Sequence, residues 1–236
     1  MCLILFSISE GDNELVVAAN RDEFHARPTL SANHWIQDPN VIGGIDLEAG
    51  GTWLGLTKSG RFAAVTNFAE PPKTPIPPRS RGALTSEFLR GDSDPEAYLR
   101  EVNKQADQYR GFNLIISSGG STWYYSNRDR NIRQLLPGVY GLSNQLLDCD
   151  WPKVVLARQE LLSLSAHSFK ADTLFELLAH RGDDRHHSAR FIVGETYGTS
   201  ACTVVRINKK GYFFEERNFD PRGELKESNQ FNFDFD

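Results

Sequence analysis

Apolar and polar positions alternate in short runs along the first quarter of the chain, a period that predicts strands rather than helices. Leu3 to Ile8 reads as a buried strand, Glu10-Gly11-Asp12-Asn13 as an acidic turn, and Leu15 to Ala19 as its antiparallel partner. The polar stretch from Asn20 to Arg27 is expected to leave the sheet, with Pro28 marking the broken ladder. Thr52 to Thr57 and Phe62 to Asn67, joined through Ser59-Gly60, predict a second hairpin. Strand pattern resumes at Phe112 to Ser117, turns at Gly119-Gly120 into Trp123-Tyr124-Tyr125, and returns at Gly138 to Leu142. A last hairpin joins Thr203–Ile207 to Tyr212–Glu216 across Asn208-Lys209-Lys210-Gly211.

Helical spacing occupies the gaps. Ser80 is placed to cap a helix through Ala83, Leu84, Phe88 and Leu89, and Asp94-Pro95-Glu96 is a helix start with acids near the positive end of the dipole. Trp151 to His167 has apolar residues at helical period, and Asp172 is expected to cap a helix carrying Leu174, Leu177 and Leu178. Pro71, Pro72, Pro75, Pro77 and Pro78 exclude helix and central strand, so this stretch reads as an extended loop or flap. The tail after Pro221, polar with spaced Phe residues, reads as irregular or as a packed strap. No repeat or linker separates two cores, so residues 1–236 read as a single domain. Strands, then helices, then strands point to an α+β layered sandwich rather than a doubly wound parallel sheet. Gly43-Gly44 and Gly50-Gly51 lack the spacing of a phosphate-binding loop.

Composition narrows the partners. With 24% charged and 39% hydrophobic residues in 236, the chain has an ordinary globular balance and can build a core without staples. Its 26 basic against 31 acidic residues, net −5, argue against a nucleic-acid-binding surface. Three cysteines make no disulfide framework, which suits a reducing, cytoplasmic setting. The apolar run at the N-terminus meets Glu10, Asp12 and Glu14 too soon for a signal or membrane segment, and no span is expected later.

Cys2 is the first candidate for chemistry. Removal of Met1 would leave its α-amine, with an ordinary pKa of about 7.7–8.0, on the same residue as a thiol: a nucleophile with its own base. Asn20-Arg21-Asp22-Glu23 follows the second strand, whose end lies beside the start of the first in a hairpin, so Arg21 is available to stabilise a thiolate. A carboxylate next door can orient the amine. Asn67 and Asn144 each close an apolar strand, where an amide either donates to an oxyanion or makes a local turn. Cys202 in an apolar strand reads as core, and Cys149, flanked by Asp148 and Asp150, as an inert thiol. His186-His187 reads as a solvated loop rather than a metal site, and the four tryptophans as core. No cofactor and no metal are implied.

The segments LVVAANRDEFHARPT, GGIDLEAGGTWLGLTKSGRFAAVTNF, SRG and GLSN…WPKV together resemble the NRDE family, named for its Asn-Arg-Asp-Glu motif, which includes the eukaryotic transport-and-Golgi-organisation-2 proteins. That family is similar to N-terminal nucleophile hydrolases, which implies a four-layer αββα sandwich of two antiparallel sheets between helices. A more distant resemblance is to the choloylglycine and penicillin V acylase branch, which cleaves amides with an N-terminal Cys. It implies Cys2 as nucleophile, Asn67 as a donor and Asn144 as the oxyanion Asn, while Arg21 and Asp22 are candidates from the hairpin geometry alone. That branch carries Arg-Asn-any-Asp, against Asn20-Arg21-Asp22-Glu23 here, so either the acid aligns with Glu23 or the register shifts to Arg21. Two functions follow: an amidohydrolase acting on a small C–N amide, or a binding or trafficking protein for haem, lipid or acyl-CoA in the same pocket.

Overall fold

A computed structural model describes residues 2–10, 14–71, 77–164 and 169–235. Its strands are β1 (Leu3–Ile8), β2 (Leu15–Phe24), β3 (Thr29–His34), β4 (Val41–Asp46), β5 (Leu54–Thr57), β6 (Phe62–Asn67), β7 (Phe112–Ser118), β8 (Ser121–Ser126), β9 (Arg133–Leu135), β10 (Gly138–Leu142), β11 (Tyr197–Asn208), β12 (Gly211–Phe219) and β13 (Leu225–Asp234). The helices are α1 (Arg81–Arg90), α2 (Pro95–Lys104), α3 (Pro152–Leu164) and α4 (Ala171–Leu178). They form two compact units, the first Met1–Arg27 with Pro137–Ser143 and Leu147–Asp236, the second Pro28–Leu136 with Asn144–Leu146.

The first unit is a six-stranded antiparallel sheet in the order β10-β1-β2-β11-β12-β13, with α3 and α4 packed on it. Strand alternation sends Leu3 and Leu5 of β1, and Val16 and Ala18 of β2, into one core with Val154, Ala157, Leu161, Leu174 and Leu178 of the helices. The expected first and last hairpins are both present. Three expectations fail here. Asn20 to Phe24 stays in the sheet, because β11 begins at Tyr197 and keeps pairing as far as Phe24, with one bulge between Thr199 and Ala201. The tail is the edge strand β13, where Phe231 meets Phe214 and Phe233 stacks on Tyr212 while polar residues alternate outward. Asp172 is not the cap of α4 but its second residue, and it pairs with Arg217 at 2.7 Å.

The second unit is a seven-stranded antiparallel meander, β3 through β9 in chain order, covered by α1 and α2. Its core gathers Trp35, Ala63, Leu84, Phe88, Leu99, Val102, Leu114, Ile116 and Tyr125. Both helix starts form as expected. The Ser80 side chain accepts from the Gly82 amide, and Asp94 accepts from Glu96 and Ala97 with Pro95 in the first turn. Strands β3, β4 and β9 were not anticipated. Gly44 in β4 has a packing role: a Cβ there would come within 2.3 Å of the Trp53 ring. The expected acidic turn at Gly11–Asn13, most of the proline-rich stretch (72–76) and the end of the helix towards His167 lie outside the described residues. No helix among those described is long and apolar enough to cross a membrane.

Candidate functional site

The ladder between β1 and β2 ends at the pair Leu3–Asn20, so Cys2 and Arg21 stand one residue beyond it on neighbouring strands. Alternation along β2 then divides the polar motif between two faces. Asn20 and Asp22 turn towards the helices, while Arg21 and Glu23 take the opposite side. This division follows from the strand that the polar composition had obscured.

Asn20 is a structural tie. It is 2% exposed, and its Nδ2 donates to the carbonyls of Leu178 at 3.0 Å and Arg190 at 2.7 Å, joining β2 to the end of α4 and the following loop. Arg190 is itself buried and holds Glu160 at 2.6 Å through its guanidinium. Asp22 is also buried, and accepts from the Thr199 hydroxyl at 2.6 Å. Burial pushes its carboxyl above the ordinary aspartate range, against the opposing pull of the Thr199 hydrogen bond and the charges of Lys153 and Arg21. Arg21 donates to the Ser200 hydroxyl at 3.0 Å, and its guanidinium lies 3.9 Å from Glu23. The bulge in β11 falls at Ser200, which delivers this contact.

Cys2 is half-buried, and its carbonyl oxygen is held from two sides. The Ser143 hydroxyl donates to it at 2.6 Å, and Lys153 Nζ approaches it at 3.5 Å. Lys153 has no exposed surface although it sits in the first turn of α3. Burial pulls its ammonium below the ordinary lysine range, opposed first by the charge of Asp22 and then by the neighbouring Cys2 and Cys149 side chains. Lys153 lies in the WPKV segment, where its residue type alone implies no role. The available signal was a cation directly after a helix-starting proline, where the dipole disfavours positive charge.

The remaining candidates fall elsewhere. Asn67 and Asn144 belong to the second unit and are brought together there: Asn144 Nδ2 donates to the Asn67 carbonyl at 2.8 Å. Asn67 is exposed at the end of β6, whereas Asn144 is 4% exposed, so it is no surface turn. Cys202 lies in the core of the first unit, its thiol pushed well up by burial. Burial also raises the Cys149 thiol, and Asp150 and Asp148 add to that, while the Trp151 amide and Lys153 oppose it. His187 stacks on Trp151 at 3.9 Å beside an exposed His186. Of the tryptophans, Trp35 is buried and the other three are partly covered. Among the described residues no three His, Cys, Asp or Glu side chains are grouped to hold a metal ion.

Two antiparallel sheets with four helices, an α+β arrangement, make this an N-terminal nucleophile hydrolase fold by likeness to solved structures. A mutant conjugated bile acid hydrolase from Clostridium perfringens matches with a TM-score of 0.59 at 11% identity, covering 98% of this chain and 92% of that one. The N-acylethanolamine-hydrolyzing acid amidase orthologue of Caenorhabditis elegans matches with a TM-score of 0.50 at 13% identity, covering 86% and 92%. At such identities the likeness is one of fold. A family model described as Transport and Golgi organisation 2 matches residues 1–221. The Transport and Golgi organization protein 2 homolog of Bos taurus is 40% identical over a 256-residue alignment, covering 92% of each chain. The chain belongs to the Transport and Golgi organisation 2 family.

Proposed function

We propose that the protein is an amidohydrolase of the N-terminal nucleophile type, with Cys2 attacking the carbonyl of a small C–N amide. The observation that carries this reading is the anchoring of the Cys2 carbonyl by Ser143 and by Lys153, whose ammonium also feels the charge of the buried Asp22. A strand-end cysteine with only a packing role needs none of these polar groups, each of which is costly to bury. The amide-hydrolase fold likeness supports the same reading.

In this mechanism Met1, which lies outside the described residues, is removed first. The Cys2 α-amine takes the thiol proton and the sulfur adds to the amide carbonyl. The C–N bond then breaks, and the amine product leaves with that proton. Water hydrolyses the acyl-Cys2 thioester, releasing the acid and restoring the thiol. Asp22 orients the α-amine and Arg21 supplies positive charge for the sulfur. Asn67 and Asn144 take the donor roles that the more distant acylase-branch resemblance implies for them. The reading treats residues 1–236 as one functional domain, supported by a family match that spans both units. It also keeps the cytoplasmic setting that suits three cysteines outside any disulfide framework.

The test is intact mass spectrometry of untagged protein before and after incubation with p-nitrophenyl acetate. The expected result is a chain starting at Cys2 that gains one acetyl group on Cys2 and loses it with time. Retention of Met1 in nearly all molecules, or acetylation unaffected by Cys2→Ala, would overturn it. A haem, lipid or acyl-CoA carrier without turnover gives no Cys2 adduct.

A further inference from the structure

Lys153 has an environment that folding alone does not favour. It has no exposed surface, it occupies the second position of α3, and its ammonium therefore sits at the positive end of a helix dipole. Burying a cation is costly unless it is paired and hydrogen-bonded. Yet the one hydrogen-bond acceptor of its Nζ among the described residues is the Cys2 carbonyl oxygen, a long contact at 3.5 Å. An aliphatic side chain of similar length would fill the same space without these costs. Groups that break local rules in this way are found where function requires them.

The charged and titratable groups around it come from several elements of the first unit. Asp22 of β2 and the thiols of Cys2 and Cys149 favour its charged form. Arg21 stands on β2 beside Asp22, but its guanidinium is turned to Ser200 and Glu23. His187 accepts the Lys153 backbone amide through its carbonyl at 3.0 Å, and burial and the positive surroundings keep its ring below the ordinary histidine range. Of the two acids flanking Cys149, Asp148 is engaged by Arg158 at 3.2 Å.

We infer that Lys153 is the positioning residue of the Cys2 site: with Ser143 it holds the Cys2 carbonyl, and its ammonium favours the sulfur in its anionic form. The carbonyl clamp fixes the Cys2 Cα, and with it the directions of both the thiol and the α-amine. The ammonium adds to the positive charge that Arg21 supplies for a thiolate nucleophile, from a residue outside the Asn-Arg-Asp-Glu motif. This rests on the reading of Cys2 as the nucleophile, but its test needs no substrate.

The experiment measures the rate at which iodoacetamide alkylates Cys2, read by peptide mass spectrometry so that Cys149 and Cys202 are counted separately, from pH 6 to 10. Lys153→Met is expected to slow Cys2 alkylation about tenfold at pH 7, with the deficit closing at the alkaline end. Lys153→Arg keeps the charge and should stay within about threefold of the parent protein. A Lys153→Met rate within about twofold of the parent at every pH overturns the inference. So does a deficit equal at all pH values, or one that Lys153→Arg fails to rescue, since these are the marks of a purely structural role. If Lys153→Met does not fold, Ser143→Ala removes the other donor to the same oxygen; it is expected to slow Cys2 several-fold, and an unchanged rate overturns the clamp. A protein that loses rapid Cys2 alkylation in Lys153→Met yet never forms an acetyl adduct supports the positioning role and counts against the hydrolase alone.

Discussion

Replacing Asn20 by alanine tests whether the first residue of the Asn-Arg-Asp-Glu motif is structural. Its Nδ2 donates to two carbonyls, Leu178 at 3.0 Å and Arg190 at 2.7 Å, and the side chain is 2% exposed. Alanine removes both donors and leaves two carbonyls of the α4 end and the following loop without them. A typical net hydrogen bond is worth about 0.5–1.5 kcal/mol, and a buried group left without its partner costs about 1–3 kcal/mol. One term offsets the loss: among the described residues Asn20 Oδ1 accepts no hydrogen bond, so its removal relieves a buried polar atom. The balance is a destabilisation of about 2–4 kcal/mol, which for a chain of this length lowers Tm by about 4–16 °C. Urea unfolding and thermal melts measure the loss, and Cys2 alkylation at pH 7 is read on the same samples. Stability should fall while the Cys2 rate stays within about twofold. A variant that melts like the parent but loses Cys2 reactivity would refute the assignment and place Asn20 in the chemistry.

Three further outcomes are expected. Glu160→Gln should destabilise at pH 7, because the Arg190 guanidinium is almost fully buried and loses its carboxylate. The Arg190 hydrogen bond holds the Glu160 carboxyl below its ordinary value, so this contribution is complete above the ordinary glutamate pKa and lost as pH falls through the lowered folded value. Melts of parent and variant should therefore converge in acid, and a gap that persists there contradicts the pairing. Iodoacetamide at neutral pH should label Cys2 first, then Cys149, then Cys202, since burial raises the latter two thiols and Cys202 is 2% exposed; equal rates would remove any special status from Cys2. Asn144→Ala should lower turnover of an amide substrate by about 10²-fold or more. It should also cost about 1–2 kcal/mol through loss of the Asn67 hydrogen bond, so a stability loss with full turnover excludes the oxyanion role.

Much of the local structure was legible along the chain. The period-2 runs at Leu3–Ile8 and Phe62–Asn67 became β1 and β6, and the caps at Ser80 and Asp94 opened α1 and α2 as their side-chain chemistry requires. These features are decided within a few residues, by steric alternation and by local satisfaction of amide groups. Cys2 stood out for the same reason, since a thiol directly after Met1 is a fact of sequence position. The family and its fold were legible through the quoted motifs, and the family match and the fold likeness bear that out.

Tertiary structure decided whatever depends on partners distant in sequence. Asn20 to Phe24 looked too polar for a strand, yet its partner β11 lies more than 170 residues away and satisfies it strand to strand. The tail became β13 because β12 offered an open edge and the apolar faces of Phe214 and Tyr212 to Phe231 and Phe233. Asn20 and Lys153 show the point most directly. One belongs to the polar strand-end motif and ties a helix end; the other lies in the WPKV segment with no role evident from sequence and is buried against the Cys2 carbonyl. Sequence records which side chains can donate, accept or carry charge, but burial sets what those abilities are worth. Burial is a property of the packed chain as a whole.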